Sequence, residues 1–255
     1  VSMICMIPAD VSFATSAQRI FAGSNSFSLI AIPFFILAGN IMNNGGIATR
    51  LVNCAKVISG RMPGALAQSN VVANMLFGAI SGSGAAAAAA MGGTIGPLEE
   101  KEGYDKNYST AVNVASAPVG MLIPPSNTMI VYSSVAGSVS IAALFMAGYI
   151  PGLLWGGAVM ILAGIMAKKR GYQAEQRVPV KVALKTFWQA IPSLLLIVIV
   201  IGGILGGIFT ATEGSAIAVV YATVLSLIYK AFKIKDIPRI VLEAAKTTGL
   251  SLIHI

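Results

Sequence analysis

The sequence predicts an all-α polytopic membrane protein that combines a re-entrant helical hairpin with broken transmembrane helices. The 255-residue chain is 56% hydrophobic and only 10% charged, with a mean hydropathy of +0.82, whereas soluble domains are about 25% charged. Two polar segments, 81–84 and 124–128, interrupt long apolar runs. A helix that ends inside a bilayer exposes unpaired backbone groups, and such ends persist only where they line a cavity or bind a ligand.

Five apolar segments are the candidate crossings of the bilayer, and they are 28–42, 111–135, 141–167, 191–209 and 216–229. The run 71–97 is a sixth apolar segment, but the tetrapeptide Ser81-Gly82-Ser83-Gly84 divides it. Each half is too short to cross a hydrocarbon core of about 30 Å. The run is therefore either one irregular crossing or a hairpin that enters and leaves on the same face.

The distribution of basic residues decides between these two topologies. With a hairpin at 71–97, every Lys and Arg except Arg19 falls on one face of the membrane, whereas a single crossing divides the basic loops between both faces. Lys and Arg concentrate in cytoplasmic loops, so the hairpin is preferred and the basic face is cytoplasmic. The net charge of +8 then follows from membrane topology and requires no nucleic-acid partner.

A helix of a different kind is predicted at 178–191. Its apolar residues recur at helical spacing on one side and its lysines stand on another, namely Val180, Leu184, Phe187 and Ile191 against Lys181 and Lys185. With Trp188 as an interfacial anchor, this segment is predicted to lie along the cytoplasmic surface as an arm between two membrane bundles. A solvated linker helix is the alternative.

The two breaks carry the chemistry of an ion site. Half-helix ends present carbonyls, which suit a cation, and amides, which suit an anion. Oxygen ligands without a carboxylate favour Na⁺ over a transition metal. The sodium ligands are predicted to be hydroxyl or carbonyl oxygens of the hairpin tip, with carbonyls of the second break facing them: Ser81, Ser83, Gly120 and Pro124.

An anionic substrate is predicted to bind beside this ion. Free amides at the starts of the half-helices attract a carboxylate, and neutral side chains there donate further hydrogen bonds. The candidate substrate-binding residues are Ser83, Gly84, Ser126, Asn127 and Thr128. The alternative for the second break is a proline kink whose polar residues only cap helix ends.

Titratable groups are scarce in the predicted crossings, which contain no Asp, Lys, Arg or His apart from His254. Proton-coupled transporters usually need such a group inside the membrane, so sodium coupling is favoured. Glu213 precedes a crossing and is assigned to helix capping, with Thr210 or Thr212, in preference to ligand binding. The sequence contains no catalytic triad, zinc-ligand set or phosphate-binding loop, so neither an enzyme nor an organic cofactor is predicted.

A series of motifs extends along nearly the whole chain. In order they are AIPFFILAGN at 31–40, GGIA at 45–48, the tip at 81–84, KEGYD at 101–105, IPPS at 123–126, LFMAG at 144–148 and GIFTATE at 207–213. Together they resemble the large membrane (M) subunit of tripartite ATP-independent periplasmic (TRAP) transporters. The tip differs from the common Ser-Gly-Ser-Ala of that family, because Gly84 and then six alanines follow Ser83.

The resemblance implies an elevator-type transporter built from inverted repeats in the bacterial inner membrane. A periplasmic binding protein would deliver a small organic anion, a small membrane (Q) subunit would join the large one, and a sodium gradient would drive uptake. A sugar acid such as sialic acid is slightly favoured over a C4-dicarboxylate. The alternatives are a passive channel, a sodium/anion symporter that needs no binding protein, or an intramembrane enzyme.

Four regions follow from these interpretations. Residues 1–70 are expected to hold the N-terminal membrane helices and a connecting cytoplasmic amphipathic segment, and 71–140 the hairpin and broken helix of the transport core. Residues 141–190 are expected to hold a crossing and the arm. The region 191–255 is expected to be the start of a second repeat, which is incomplete in this sequence.

Overall fold

The computed structural model describes residues 14, 15, 17, 18, 21, 27–137, 139–172 and 179–254, and most of them are helical. Arg19 and most of the first 26 residues of region 1–70 lie outside the described residues. Within these described ranges, four helical segments are long and apolar enough to cross a membrane, namely Phe27–Asn44, Ile141–Arg170, Val180–Leu205 and Ala211–Ile228. A bent pair, Lys106–Leu122 with Asn127–Ala136, is long and apolar enough to be a fifth if the two helices together make one span. The predicted all-α polytopic class is confirmed.

The chain enters the bundle through a 3-10 turn at Phe27–Ile30 and helix α1, Ala31–Asn44. Helix α2, Ile47–Ser59, follows after a left-handed glycine, Gly46, at φ 70°. Its buried residues lie on one side, namely Ile47, Ala48, Leu51, Val52, Cys54, Ala55 and Ser59. α2 is therefore the amphipathic segment predicted before the hairpin.

The hairpin consists of α3, Ala65–Ser81, and α4, Gly84–Thr94, and the short helix α5, Gly96–Lys101, follows it. α3 begins six residues before the predicted apolar run, so the predicted regional boundary at 70/71 falls inside a helix. Gln68, Ser69 and Asn70 are polar but fully buried. The apolar pattern therefore does not show the first turns of this helix.

Both ends of the hairpin lie at the same end of the bundle. A Cβ built on Gly64, just before α3, would lie 2.5 Å from Ala167 Cβ. Tyr104, just after α5, stacks on Tyr172 with ring centroids 4.3 Å apart. Because Ala167 and Tyr172 both belong to the end of one long helix, the chain enters and leaves the hairpin on one side. The predicted re-entrant topology is confirmed.

The broken helix consists of α6, Lys106–Ser116, one turn α7, Val119–Leu122, and α8, Asn127–Ala136, with a bend of 46° at the break. The break contains a cis peptide between Pro124 and Pro125. Asp105 starts α6, because its carboxylate accepts a hydrogen bond of 2.9 Å from Tyr108 N. The helix thus begins five residues before the predicted crossing at 111.

Three long helices and a terminal one complete the bundle: α9, Ile141–Arg170; α10, Val180–Leu205; α11, Ala211–Ile228; and α12, Ile237–His254. The structure differs from the sequence interpretation at α10, where the predicted arm and the following crossing are one continuous helix. The predicted boundary at 190/191 therefore falls inside α10. The first ten residues of α10 are mostly exposed, and burial begins at Ala190. The predicted arm is therefore the exposed first part of the same helix that continues as the crossing.

The helices pack in two groups. In the first, α3 packs against α4, α6, α7 and α9. In the second, α1 packs against α11 and α12, and α10 packs against α11. Helix α2 lies between the groups, because it contacts both α3 and α10.

Candidate functional site

The hairpin tip rests directly on the break in the second helix. Asn127 N, at the start of α8, donates a hydrogen bond of 3.2 Å to the carbonyl oxygen of Gly82. Gly82 adopts a left-handed conformation at φ 61°, and a Cβ there would lie 2.9 Å from Pro125 O. Glycine is therefore needed at this position both for the backbone conformation and for the close approach. The two interruptions predicted from the sequence form one structural unit.

A second glycine contact brings the hairpin stem against α7. A Cβ on Gly78 would lie 2.1 Å from the Cα of Gly120, and a Cβ on Gly120 would lie 2.7 Å from the Cα of Gly78. The two backbones are thus in direct contact about one turn before each break. Gly39 of α1 provides a similar approach from the other group of helices, since its Cβ would lie 2.8 Å from Ser81 Cβ.

The predicted sodium ligands all lie in this region. Ser81 is fully buried, and its hydroxyl donates a long hydrogen bond of 3.5 Å to Ser83 O. Ser83 caps α4, because its Oγ accepts from Ala86 N at 3.3 Å. Pro124 is buried in the facing break, and Gly120 is buried about one turn before it. The structure therefore gathers the predicted residues at one place.

The predicted substrate-binding residues differ in how far their side chains are already used. Ser126 is fully buried and bridges the break, since its Oγ accepts from Met129 N and donates to Met121 O. In contrast, Asn127 Oδ1 has no hydrogen-bond partner although it is buried, and Thr128 is exposed. Gly84 is buried against the carbonyl oxygen of Ala117. Asn127 and Thr128 are the side chains with unused hydrogen-bonding capacity.

The site consists of groups without a formal charge. The C-terminus of α3 and the N-termini of α4 and α8 converge at the tip, so partial negative and partial positive charges of helix ends lie close together. Segments 71–98 and 111–135 contain no Asp, Glu, Lys, Arg or His. Among the described residues, no group of three or more His, Cys, Asp or Glu side chains is placed to hold a metal ion. This arrangement suits a monovalent cation beside an anion.

Glu213 lies far along the chain from this unit and has a structural role. Its carboxylate accepts hydrogen bonds of 2.8 Å from Thr210 N and 3.0 Å from Thr210 Oγ1, while Thr210 Oγ1 accepts from Glu213 N. This is a capping box at the start of α11. The predicted capping role is confirmed, with Thr210 as the capping residue.

The sequence interpretation missed a polar network that joins α3 of the hairpin to α6. Asn74 Nδ2 donates to Asn70 Oδ1 at 2.9 Å and to Ser116 Oγ at 2.7 Å, and it lies 3.1 Å from Asn113 Oδ1. The available signal was the spacing of Asn70 and Asn74, which places two amides on the same face of an otherwise apolar helix.

The interpretation also missed Glu99 of α5, which is 1% exposed and lies outside the membrane spans. Burial raises the pKa of the Glu99 carboxyl to about 7, and the negative charge of Glu102 raises it further, whereas the nearby Ser109 hydroxyl lowers it. A single glutamate in a charged loop gives no sequence signal of burial.

Comparisons with known proteins agree with this architecture. The family model described as "Tripartite ATP-independent periplasmic transporter, DctM component" matches residues 1–255. The uncharacterized protein YgiK of Salmonella typhimurium is 50% identical over 252 residues, which cover 99% of this chain and 58% of that protein.

Two further relatives have names that state a substrate. The C4-dicarboxylate TRAP transporter large permease protein DctM of Rhodobacter capsulatus is 37% identical over 257 residues, covering 95% of this chain and 58% of the relative. The sialic acid TRAP transporter large permease protein SiaM of Vibrio cholerae is 38% identical over 245 residues, covering 94% and 56%. The chain thus spans little more than half the length of these relatives.

Three findings agree: the helical architecture, the contact between hairpin tip and helix break, and the family match along the whole chain. They assign the chain to a family of transport permeases, not of enzymes. The chain belongs to the DctM family, the large permease component of tripartite ATP-independent periplasmic transporters.

Proposed function

We propose that this chain forms part of a sodium-coupled importer of a small organic anion, either a sugar acid such as sialic acid or a C4-dicarboxylate. The observation that carries the proposal is the contact between the two breaks, in which Asn127 N donates to Gly82 O while Asn127 Oδ1 stays without a partner. Neutral oxygens and helix ends meet there in a region without charged side chains. Such a site suits a cation and an anion that bind together.

The residues present fit a sodium ion. Hydroxyl and carbonyl oxygens of Ser81 and Ser83, with carbonyls of Gly120 and Pro124, are hard neutral ligands of the kind that Na⁺ accepts. Asn127 Oδ1 is an additional candidate oxygen, because it is buried and unpartnered. When bound, Na⁺ supplies the positive charge that offsets an anion in a site of low dielectric constant. Anion and sodium affinities are then mutually dependent.

The substrate carboxylate is proposed to bind at the N-termini of α4 and α8. First-turn amides have no partner within their own helix, and they attract negative charge. Of the candidate substrate-binding residues, Asn127 and Thr128 have unused side chains, Ser83 and Gly84 lie at the start of α4, and Ser126 supports the break. The named substrates of the relatives share carboxylate chemistry, and this feature is the one the site would recognise.

The transport cycle is proposed to be of the elevator type, with the group around α3 and α9 moving relative to the group around α1 and α11. A periplasmic binding protein would deliver the anion, and a small membrane (Q) subunit would complete the permease in the bacterial inner membrane. A passive channel is disfavoured because the polar groups meet at a closed contact between two breaks. Dependence on a binding protein separates this proposal from a simple sodium/anion symporter.

The test is uptake by the complete transporter in proteoliposomes. We expect uptake to require both sodium and the binding protein. Changing Ser81→Ala together with Ser83→Ala should raise the sodium concentration for half-maximal uptake by about tenfold, equivalent to about 1.4 kcal/mol. Ser134→Ala is the matched control, because the Ser134 hydroxyl only donates to Ile130 O within α8. An unchanged sodium dependence in the double variant would falsify the placement of the ion.

A further inference from the structure

A cavity of about 380 Å³ opens between α3, α5 and α6, at the end of the hairpin opposite its tip. Its polar lining includes Asn70, Glu99, Glu100, Lys106, Ser109 and Asn113. Asn70 precedes Ser81 by eleven residues on α3, which corresponds to about 16 Å along the helix axis. The cavity is therefore separate from the tip and from the site proposed above.

Three buried polar groups in the lining of this cavity make no hydrogen bond of normal geometry, although the Ser109 hydroxyl lies close enough to Glu99 to lower the pKa of its carboxyl. They are Glu99 Oε1, Asn70 Nδ2 and Ser109 Oγ, on residues that are 1%, 0% and 9% exposed. Buried polar groups in folded proteins nearly always have partners, so a carboxylate oxygen and an amide N–H that share this cavity point to a polar ligand between them. This ligand must contact a carboxylate oxygen and also accept a hydrogen bond from an amide N–H. A hydrated cation meets both requirements, because the ion contacts the oxygens and its water accepts from the amide.

The charges around the cavity favour a cation. In the described part of the chain, no lysine, arginine or histidine nitrogen lies within 4.0 Å of the Glu99 carboxylate. Glu100 also lines the cavity, and Glu102 lies close enough to act on Glu99 electrostatically. Lys106 is the opposing charge in the lining, but its residue is exposed to solvent. A buried carboxylate without a fixed counter-ion is stable only when a proton or a cation neutralises it.

The polar network behind the cavity holds its lining in place. Asn70 Oδ1 accepts from Asn74 Nδ2 at 2.9 Å, which leaves Asn70 Nδ2 directed away from that bond. Asn113 Nδ2 donates to Ala88 O at 2.9 Å, and Asn113 Oδ1 lies 3.1 Å from Asn74 Nδ2. A Cβ on Gly92 would lie 2.9 Å from Asn113 Nδ2, so glycine makes room for this amide. Contacts from three helices therefore hold the Asn70 and Asn113 amides in place.

We propose that Glu99 and Ser109 bind one monovalent alkali cation in this cavity, with a water molecule held by Asn70 Nδ2 completing its shell. A single buried carboxylate among neutral groups suits a monovalent ion better than Ca²⁺, which usually takes several carboxylates. The site lies at the basic end of the bundle, where the hairpin begins and ends. It is a second cation site, independent of the one at the hairpin tip.

The experiment measures the melting temperature of the full-length permease, purified with its partner membrane subunit, as NaCl or KCl replaces choline chloride at constant ionic strength. All proteins carry Ser81→Ala and Ser83→Ala, so that the tip hydroxyls are absent throughout. We expect a saturable rise in melting temperature with at least one of the two cations, and the effective cation identifies the ion. Glu99→Gln should reduce this rise, whereas Glu243→Gln, which removes an exposed carboxylate on α12, should leave it unchanged.

A second variant keeps the test decisive if Glu99→Gln does not fold. Ser109→Ala preserves the carboxylate and should raise the cation concentration at half the maximal shift by about tenfold. Equal cation effects in the parent, Glu99→Gln and Ser109→Ala proteins would overturn the proposal, as would a parent that responds to neither cation. Because every sample carries the same tip substitutions, any sodium binding that remains at the tip is common to all samples, and differences between the samples report on the cavity.

Discussion

Single residues at the tip divide into those that join helices and those that remain able to bind. Ser83 and Ser126 use their hydroxyls to cap α4 and α8. Asn127 uses its backbone N–H to hold the tip but keeps its side-chain oxygen unpartnered. Thr128, one residue later, is exposed. Neighbouring polar residues in one motif therefore have different roles, and substitutions should separate them.

We predict that Asn127→Ala and Thr128→Val weaken substrate affinity more than they affect folding. A hydrogen bond to a charged group contributes about 1.5–3 kcal/mol, so the substrate concentration for half-maximal uptake should rise by about tenfold or more. Ser126→Ala is the contrasting variant, because loss of its cap should cost about 0.5–2 kcal/mol and lower the melting temperature. Both quantities are measured on each reconstituted variant. Wild-type substrate affinity in Asn127→Ala and Thr128→Val would leave these residues with a structural role only.

A pH dependence of stability is expected from Glu99 in choline buffer, where no alkali cation is present. The carboxyl pKa is about 7 in the folded protein and 4.5 in its reference state. Below pH 4.5 the Glu99 carboxyl is neutral in both the folded and the unfolded chain, so the free energy of unfolding is at its highest with respect to this group. Between these values the unfolded chain has lost the proton that the folded chain retains, so stability falls as pH rises and levels off above about pH 7.

The size of this effect is at most about 3 kcal/mol, since each pKa unit corresponds to 1.36 kcal/mol. The melting temperature should therefore fall between pH 5 and pH 8 in the wild type. Glu99→Gln should remove most of this fall, whereas Glu243→Gln should not. A parallel pH dependence in all three proteins would contradict the assignment to Glu99.

Among the helices, close approach depends on glycine pairs. Gly78 and Gly120 bring the hairpin stem and α7 into backbone contact, and the tip contact between Gly82 and Asn127 follows within about one turn. Because these contacts are between backbones, a single added methyl group has no space to occupy. The position of the tip over the second break therefore depends on the absence of side chains at these residues.

We predict that Gly78→Ala destabilises the permease by about 1–3 kcal/mol, because overpacking forces the hairpin away from α7. Gly93→Ala is the matched control on the other arm of the hairpin, since a Cβ there meets no atom within 4 Å. It should be neutral or stabilising by about 0.5–1 kcal/mol, because alanine favours the helix. The measurement is the melting temperature of each purified variant, together with its sodium dependence of uptake. Equal melting temperatures for the two variants would show that the contact is not tight.

The sequence predicted the elements whose signals are local. The breaks at 81–84 and 124–128 were visible because polar residues interrupt apolar runs, and the charge asymmetry indicated the hairpin. The starts of α3 and α6 were not predictable in this way. Gln68 is buried because its Nε2 donates to Met160 O at 2.8 Å, and this partner lies on a helix distant in sequence. Hydrophobic patterns indicate the surroundings of a residue, and not whether a polar side chain has found a partner.

The same reasoning explains α10 and the missed cavity. The change from an amphipathic to a fully apolar pattern near Ile191 suggested two helices, but the backbone remains helical through Pro192. The hydrophobic pattern changes along α10 because its first ten residues are mostly exposed, whereas the residues from Ala190 onward pack within the bundle. Glu99 was missed because burial of a charged residue depends on the packing of α5 between α3 and α6, which no local pattern encodes.

At the scale of the whole molecule, polar contacts unite each group of helices. Gln68, Tyr108 and Trp155 form hydrogen bonds that join α3 and α6 to α9, with donor–acceptor distances of 2.8 to 2.9 Å. Tyr221 OH donates to Pro192 O at 2.8 Å and joins α11 to α10. Among the described residues, no side-chain hydrogen bond joins these two groups directly. Helix α2 has a polar contact with each group, because Ser59 bonds with Ser69 of α3 at 2.9 Å and the Arg50 guanidinium lies 3.4 Å from the ring centroid of Tyr229, directly after α11.

The surface between the groups is lined by apolar residues and small side chains. Ala79, Ile80 and Pro125 face a narrow gap from the hairpin and the break, opposite Phe35, Leu196, Ile197, Val200 and Ala218. Sliding along such a surface breaks no strong polar contact, whereas movement within either group would break hydrogen bonds. This difference supports the proposed elevator movement and identifies the surface along which it would occur.

We predict that a cross-link across this surface stops transport, whereas one within the first group does not. The test pair is Ala79→Cys with Ile197→Cys, which line the gap from opposite sides. The control pair is Ala115→Cys with Trp155→Cys, two exposed positions on α6 and α9 within the first group, where Trp155 Nε1 donates to Ala115 O at 2.9 Å. A short thiol-reactive, cleavable linker should reduce uptake by about tenfold or more in the test pair, in proportion to the cross-linked fraction. Because these two helix groups must change their relative position in an elevator cycle, cleavage of the linker should restore uptake. Full uptake by the cross-linked test pair, with complete linkage shown by mass spectrometry, would exclude movement along this surface.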